Sequence, residues 1–548
     1  MAGPYQIGNY AETYSKFRLE APERYNWAYD VFDRWAEDPG KLALFWVGAS
    51  GEREVTFREL SERSQRVANA LIGLGSQPGD RVFVMLPRIV EWWEILLGNI
   101  RARTVSIPGT TLLTSQDIAY RLNAASVKIA ITDSDNIDKL EAVRNECPDL
   151  EHIIVVGETP DVLSYEDLLR SSSPRLDHPR NLATDPLMIY FTSGTTGYPK
   201  MVLNDHVTYP LAHLITGKYW LDNRPTDLHW TLSDTGWAQA AWTCFFAPWN
   251  MGAALFIWDH RGKFDSQGTL EMLQRYPITT FFAPTTAYRM LILEDLKDFQ
   301  SKTLRLSVGA GEAVNPEVIN AWREGTGHHI WEGYGQTETV LCVATFPGMR
   351  YKPGSMGVAA PGFQMGVVDA EGNELATNAE GEIAIRVRPE RPVGLFREYY
   401  RNPEATSGCF AGDWYLTGDR ARRDEDGYFY FVSRSDDLIN TAAYRVGPFE
   451  VESAMIEHPA VAEVAVVGSP DRLRGEIIKA FVVLSPDYVA SDGLVEQLQK
   501  HVIRVTAPYK YPREVEFLDE LPKTISGKIR RNVLRQREVD KKAADSES

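Results

Sequence analysis

Thr192-Ser193-Gly194-Thr195-Thr196-Gly197-Tyr198-Pro199-Lys200 follows directly on the apolar run Leu187-Met188-Ile189-Tyr190-Phe191. A strand therefore feeds a loop of hydroxyls and glycines that closes on a lysine. Glycines let backbone approach a ligand closely, and successive N–H groups in such a loop form a concave anion site. The hydroxyls and the Lys200 ammonium add donors and charge, so phosphate is the ligand the loop suits. A Walker A box is disfavoured. It needs G-x-x-x-x-G-K-[ST] opening a helix, whereas from Gly194 the spacing is G-T-T-G-Y-P-K with Pro199 before the lysine. Loops of this composition are also commonly just solvated, so the assignment rests on the rest of the chain.

Around this loop, strand-like and helix-like segments alternate. Strands are expected at 81–86, 128–132, 152–156, 253–258, 279–283 and 304–308, with a helix at 57–74 that carries Leu60, Val67, Ala70 and Leu71 on one face. That alternation predicts an α/β fold with largely parallel sheets. From about 363 the texture changes to short strands at 364–368, 382–388 and 428–432 between Gly- and Asp-rich turns, a smaller β-rich subdomain. After Arg434-Ser435-Asp436-Asp437 it changes again. Helices are expected at 448–458 and 493–505, and strands at 462–467, 478–484 and 515–518. The reading is a large N-terminal domain, 1–435, with its β-rich part at about 363–435, and a small α+β domain, 436–548.

Composition narrows the function. A chain of 548 residues is too long for one core, and a net charge of −17 argues against nucleic acid or an anionic membrane as the main partner. Cys147, Cys244, Cys342 and Cys409 show neither a disulfide framework nor zinc spacing and read as small buried hydrophobes. No signal peptide and no apolar run of the ~20 residues needed to span a bilayer is evident. Cytoplasm is the default compartment and an organelle matrix the alternative. Residues 541–548 read as a frayed tail.

Four further segments carry chemistry. Gly309-Ala310-Gly311-Glu312-Ala313 offers flat backbone after a strand, suited to stacking on a planar base. Tyr334-Gly335-Gln336-Thr337-Glu338 gathers an aromatic, an amide, a hydroxyl and a carboxylate, the last able to hold Mg²⁺. Tyr415-Leu416-Thr417-Gly418-Asp419 places a carboxylate after a turn, where it can accept both ribose hydroxyls. Pro522-Lys523-Thr524-Ile525-Ser526-Gly527-Lys528 puts a lysine on a loop near the C-terminus. Singly, each has an ordinary reading: a tight turn, a surface carboxylate, a turn aspartate, a solvated lysine.

Together, in this order, the segments resemble the adenylate-forming superfamily of acyl-CoA synthetases, adenylation domains and luciferases, over essentially the whole chain. The likeness is nearest to medium-chain acyl-CoA synthetases, through Pro87-Arg88, Glu91-Trp92-Trp93, Ser233-Asp234-Thr235-Gly236-Trp237, Asp424-Glu425-Asp426-Gly427-Tyr428-Phe429 and Ala507-Pro508-Tyr509-Lys510-Tyr511-Pro512. The resemblance implies that a carboxylate attacks the α-phosphate of Mg·ATP to give acyl-AMP and pyrophosphate, and that coenzyme A then displaces AMP. It implies that Thr192, Ser193, Gly194, Thr195, Thr196, Gly197 and Lys200 clamp the outer phosphates. Gly311, Glu312, Glu332, Gly333, Tyr334, Gly335 and Gln336 would frame the nucleotide, with Asp419 and Arg434 on the ribose. Glu338 would carry Mg²⁺, Thr337 would sit near the α-phosphate, Arg445 would meet phosphate, and Lys528 would bridge the attacking carboxylate and the α-phosphate. Rotation of the small domain about Asp436 would make Lys528 an adenylation residue only. Ala442, Ala443 and Tyr444 would then line the coenzyme A tunnel, with Arg474 and Arg504 on its phosphates.

Two departures from the family pattern stand out: Ser433 where a glycine is usual, and Ala442-Ala443 where Ser-Gly is usual. The methyl of Ala443 narrows the tunnel or restricts φ, which bears on the second half-reaction. Acetyl-CoA synthetases carry a tryptophan at the position of Gly335, so the acyl pocket, with Trp237 as another wall, is expected to admit a medium-chain, branched or aryl acid. The rival readings are transfer of the acyl group to an amine or a carrier protein, a non-catalytic nucleotide-binding protein, and a luciferase-type oxygenase. No carrier domain is expected after Lys528. Monomer and homodimer both stay open.

Overall fold

The computed structural model describes residues 5–192, 199–441, 444–471, 474–524 and 528–547. Two large sheets dominate. The eight-stranded sheet runs, edge to edge, Glu398–Tyr399, Lys200–Asp205, Pro186–Thr192, Val105–Pro108, Arg81–Met85, Val127–Asp133, His152–Val156 and Leu163–Ser164. It is parallel from Pro186–Thr192 onward, and the two edge strands before that are antiparallel. The nine-stranded sheet runs Val358–Ala359, Val343–Ala344, Ile330–Tyr334, Leu306–Ala310, Thr280–Pro284, Leu228–Thr231, Ala254–Trp258, Leu42–Gly48 and Gly51–Thr56, parallel through its middle.

Side-chain alternation explains the continuous apolar strands. Val82 and Val84 enter the core shared by the two sheets, while Phe83 and Met85 enter a second core on the far face. In the other sheet, Leu255 and Ile257 face the shared core, and Ala254 and Phe256 face a third. Both sheets are thus covered on both faces, as parallel sheets require.

Helices Phe57–Gly73 and Val90–Ala102 fill part of the shared core. The first opens on a capping box in which Thr56 and Glu59 satisfy each other's backbone donors. The second is buried nearly all round, including Glu94, which is paired with Arg63 and accepts from the Tyr165 hydroxyl. The helices cross at Gly98, where a Cβ would come 2.4 Å from Cγ1 of Val67.

Residues 365–434 form a five-stranded antiparallel sheet of Met365–Val368, Glu380–Arg386, Trp414–Arg423, Phe410–Ala411 and Phe429–Arg434. The last sheet comprises Tyr444–Val446, Ile439–Thr441, Gly475–Leu484, Val461–Asp471 and Glu514–Phe517, with helices Pro448–Ile456 and Asp492–Val505. It has cores of its own, Val464 and Val466 facing one and Ala465 and Val467 the other.

One expectation is corrected. Residues 541–547 are not a frayed tail but the end of helix Arg531–Glu547. Lys542 pairs with Glu514 at 2.8 Å and Lys541 lies 3.7 Å from Glu516, so the helix is tied to the sheet edge.

The crossing at Gly98 gives a direct test. Gly98→Ala should destabilise the protein by about 1–3 kcal/mol, the usual cost of overpacking. Val67→Ala in the same chain should recover part of that loss, measured as urea midpoints.

Candidate active site

The site forms where strands of three sheets end. Leu306–Ala310 and Ile330–Tyr334 are parallel neighbours, and their carboxyl ends carry Gly311 and Tyr334. The carboxyl end of such a sheet is where ligands of open α/β folds bind. Gly311 has φ +103° and nothing within 4 Å of where a Cβ would stand, so its face is open. Beside it, Glu312 is 3.5 Å from Arg289, and its carbonyl accepts from the Thr285 hydroxyl.

The turn after Tyr334 is the centre of the polar network. The Tyr334 hydroxyl and the Gln336 Nε2 each donate to Oδ2 of Asp419 at 2.7 Å, and Arg434 lies 3.3 Å from Oδ1. Gln336 also donates to the Thr417 carbonyl at 2.7 Å. Asp419 and Arg434 face each other across paired strands, beside a register shift that follows Gly418 at φ +73°. Burial raises the Asp419 pKa, and Arg434, Tyr334, Gln336 and Lys528 oppose that rise.

Glu338 stands at the far end of the turn. Its Oε1 accepts from the Tyr399 hydroxyl at 2.8 Å, and its carbonyl accepts from Phe396 N–H. Burial raises its pKa as well, opposed by the Tyr399 bond, Lys200 and Arg434. Tyr399 belongs to the edge strand paired with Lys200–Asp205, and the Lys200 ammonium sits 4.8 Å from its ring centre. Thr192 and Lys200 are paired at the mouth of the hydroxyl-rich loop. Ser193, Gly194, Thr195, Thr196 and Gly197 lie outside the described residues.

Lys528 is exposed. A turn holds it, in which its N–H donates to the Thr524 hydroxyl and its carbonyl accepts from Thr524 N–H. Its charge is near enough to Asp419 to favour that carboxylate. Ala442 and Ala443, and the side chains of Tyr444 and Arg445, lie outside the described residues. Arg474 and Arg504 are both exposed, and Arg504 contacts Nδ1 of His501 at 3.0 Å.

Sequence reasoning gave the space beside Gly335 to the substrate. In the structure a Cβ at 335 would lie 2.7 Å from Cη2 of Trp242 and 2.5 Å from the Val340 carbonyl oxygen. Trp242 therefore occupies that space. Its indole N–H donates to the Tyr209 hydroxyl at 2.6 Å, and His213 packs against its ring. Trp242 follows Trp237 in one helical stretch of consecutive short segments, Ala238–Ala241, Trp242–Phe246 and Ala247–Asn250. Nothing in the apolar pattern of that stretch separates a site tryptophan from a core one. Among the described residues no cluster of three or more His, Cys, Asp or Glu could hold a metal, and no helix is long and apolar enough to cross a membrane.

The sequence matches the AMP-binding enzyme family over residues 31–400 and the AMP-binding enzyme C-terminal domain over residues 450–528. It is 46% identical over 549 residues to the mitochondrial acyl-coenzyme A synthetase ACSM3 of Mus musculus, covering 98% of this chain and 94% of that one. It is 46% identical over 542 residues to the mitochondrial acyl-coenzyme A synthetase ACSM5 of Homo sapiens, covering 97% and 93%. The anthranilate CoA ligase AuaEII, solved with anthranoyl-AMP, superposes with a TM-score of 0.87 at 32% identity, over 94% of this chain and 98% of that one. A benzoate CoA ligase from Burkholderia xenovorans LB400 superposes with a TM-score of 0.83 at 26% identity, over 93% and 100%.

Glu332 supplies a pH test. It is 5% exposed, opposite Gly309 in register, and accepts from Val314 N–H at 3.0 Å. Burial pushes its pKa from 4.5 up to about 8, against the Val314 bond. The folded chain therefore keeps a proton that the unfolded chain has already released. This contribution to stability is full below the unfolded value and is lost as pH rises through the folded one. Between about pH 5 and about pH 8 the native protein should lose more stability than Glu332→Gln, whose side chain stays neutral. Equal slopes in urea denaturation would show that the Glu332 carboxyl is not perturbed.

Proposed function

The chain belongs to the AMP-binding enzyme family, and on that premise we propose how its residues divide the chemistry. It is an AMP-forming acyl-CoA synthetase. A carboxylate oxygen attacks the α-phosphorus of ATP, a P–O bond forms, and pyrophosphate leaves with its oxygen's electron pair. The thiol sulfur of coenzyme A then attacks the acyl carbon. A C–S bond forms, the bond to AMP breaks, and the thiol proton passes to water.

The observation that carries the residue assignment is the buried Asp419 carboxylate, held by Tyr334, Gln336 and Arg434 with the Lys528 charge near it. Gly311 and Tyr334 frame the adenine, with Glu312, Glu332 and Gly333 beside it. Asp419 and Arg434 hold the ribose. Lys200 and the 192–197 loop take the outer phosphates. Attack brings one anion onto another, so cations that converge on the reacting atoms lower the barrier more than any proton transfer. Lys528 supplies that charge between carboxylate and α-phosphate, Thr337 lies alongside, and Arg445 meets phosphate.

Glu338 fits Mg²⁺: it is a hard oxygen donor whose ionisation burial disfavours, so a divalent cation would hold it charged. When bound, Mg²⁺ neutralises phosphate charge. We divide the chain at Asp436 into an N-terminal domain, 1–435, and a mobile C-terminal domain, 436–548. After adenylation the latter turns and brings 442–444, Arg474 and Arg504 to coenzyme A. The relatives named mitochondrial support an organelle matrix as the alternative to the cytoplasm.

The acid is mid-sized, and Trp242 with Trp237 and Gly335 bounds its pocket. Incubated with Mg·ATP, coenzyme A and a panel from acetate to dodecanoate with branched and aryl members, the protein should give pyrophosphate and acyl-CoA with mid-sized members. Trp242→Ala should move the preferred length upward. The ratio of kcat/KM for long over short acids should rise roughly tenfold, since apolar pockets discriminate by ~1–3 kcal/mol per methylene. Pyrophosphate without acyl-CoA would assign the acyl group to another acceptor, an amine or a carrier protein. An unchanged length preference would remove Trp242 from the pocket.

Lys528→Ala should slow pyrophosphate formation by about 100-fold or more, the usual cost of losing a charge-stabilising donor. Thioester formation from supplied acyl-AMP should stay within about twofold, because Lys528 then faces away from the site. An equal loss in both half-reactions would contradict the rotation.

A further inference from the structure

We propose that Arg535, with Arg531 one turn before it, is a positioning residue that clamps the Asp436–Asp437 hinge in the arrangement that brings Lys528 to the nucleotide. The proposal rests on the two-step reading above. Helix Arg531–Glu547 begins three residues after Lys528, so the seat of that helix decides where the lysine can reach. Residues four apart share one face of a helix, and Arg531 and Arg535 both turn toward the hinge. Arg535 pairs with Oδ1 of Asp437 at 2.9 Å and donates to the Asp436 carbonyl. Arg531 lies 3.8 Å from Oδ2 of Asp437 and grips Glu452 through Nε and NH2 at 2.8–3.1 Å.

The other side of the hinge is held too. Arg434 reaches the Asp436 carboxylate at 3.4 Å while it pairs with Asp419 at 3.3 Å. Asp436 is therefore gripped at its carboxylate by a residue of the preceding sheet and at its carbonyl by a residue of the C-terminal helix. The rotation between carboxylate-bearing Cα and carbonyl is the ψ that a hinge at Asp436 has to change. While both arginines are engaged that ψ is fixed, and Lys528 stays on the Asp419 side. Asp437 is mostly buried, so its carboxylate depends on Arg531 and Arg535 for compensation. A cavity of about 580 Å³ lined by Arg420, Ser435, Asp436, Asp437, Asn440 and Arg535 borders the clamp, leaving the hinge backbone room to move once it opens.

The clamp predicts a split that a purely structural arginine would not give. Each half-reaction is measured separately in the full-length enzyme: pyrophosphate release from acid and Mg·ATP, and thioester formation from supplied acyl-AMP and coenzyme A. Arg535→Ala should slow the first roughly tenfold, about 1.4 kcal/mol, and leave the second within about twofold or faster. Arg535→Lys should restore part of the loss. Asp437→Asn, which removes the charge at constant volume, should reproduce the split and covers the case in which Arg535→Ala does not fold. Lys528→Ala serves as the reference. If it fails to separate the half-reactions, the two-step reading fails and the clamp falls with it. If it separates them while Arg535→Ala and Asp437→Asn lower both equally or neither, the clamp alone is overturned.

Discussion

The Asp419 carboxylate is the constraint on which the site is built. A buried charge is tolerated only when its lone pairs are engaged, and here the partners come from different layers. Tyr334 is the end of a nine-stranded-sheet strand, Gln336 lies in the turn after it, and Arg434 closes the five-stranded sheet. The same turn reaches the eight-stranded sheet through Glu338 and Tyr399. Five residues, 334–338, thus join three sheets by side-chain hydrogen bonds. Moving any one sheet would leave a buried carboxylate short of a donor, a loss that costs about 1–3 kcal/mol or more. The geometry of the proposed nucleotide site is fixed by the same bonds that hold the sheets together.

This arrangement sets two buried carboxylates, Asp419 and Glu338, among the charges of Lys200, Arg434 and Lys528. Asp419 and Glu338 are both disfavoured as anions by burial, and the cations near them are few and come from distant stretches: Lys200, Arg434 and Lys528. In a chain of net charge −17 the local charge balance matters more than the total. Phosphate adds negative charge to this setting, so the cations have to be brought in by the fold. Lys200 is carried by a strand edge. Lys528 is carried by a turn of the C-terminal part of the chain, and the proposed rotation would supply its charge in one step and withdraw it in the next.

Much of this was legible in the sequence. Period-two apolar runs gave the parallel strands because each is buried on both faces, and the texture change near 363 marked the antiparallel sheet. The motifs at 309–313, 334–338 and 415–419 each have an ordinary reading alone and were legible because they occur together in one order along the chain. What the sequence could not show depends on distance between remote segments. That Tyr399 holds Glu338, or that Trp242 fills the space over Gly335, follows from packing of elements far apart in the chain. The tail at 541–547 was misread for a related reason. Its charged composition suits a solvated coil, but the carboxylates of the Glu514–Phe517 strand, beside Lys541 and Lys542, continue the docking of a helix already held by Leu534 and Glu538.

That docking also decides how motion is distributed. Lys479 is 2% exposed and lies between Glu514, Glu516 and Glu538 at 3.4, 2.9 and 2.8 Å. Glu538 is on the C-terminal helix and is itself buried, with its second oxygen accepting from the Ser469 hydroxyl. Detaching the helix from its sheet would break the Lys479–Glu538 pair and the Ser469–Glu538 bond and uncover Leu534, although Lys479 would keep Glu514 and Glu516. The helix and the 439–517 sheet are therefore tied into one body, and in the proposed rotation any change in the position of Lys528 falls on the few residues at 434–437. There the ion pairs are partly exposed and border open space, so this is where the chain can yield without breaking a core.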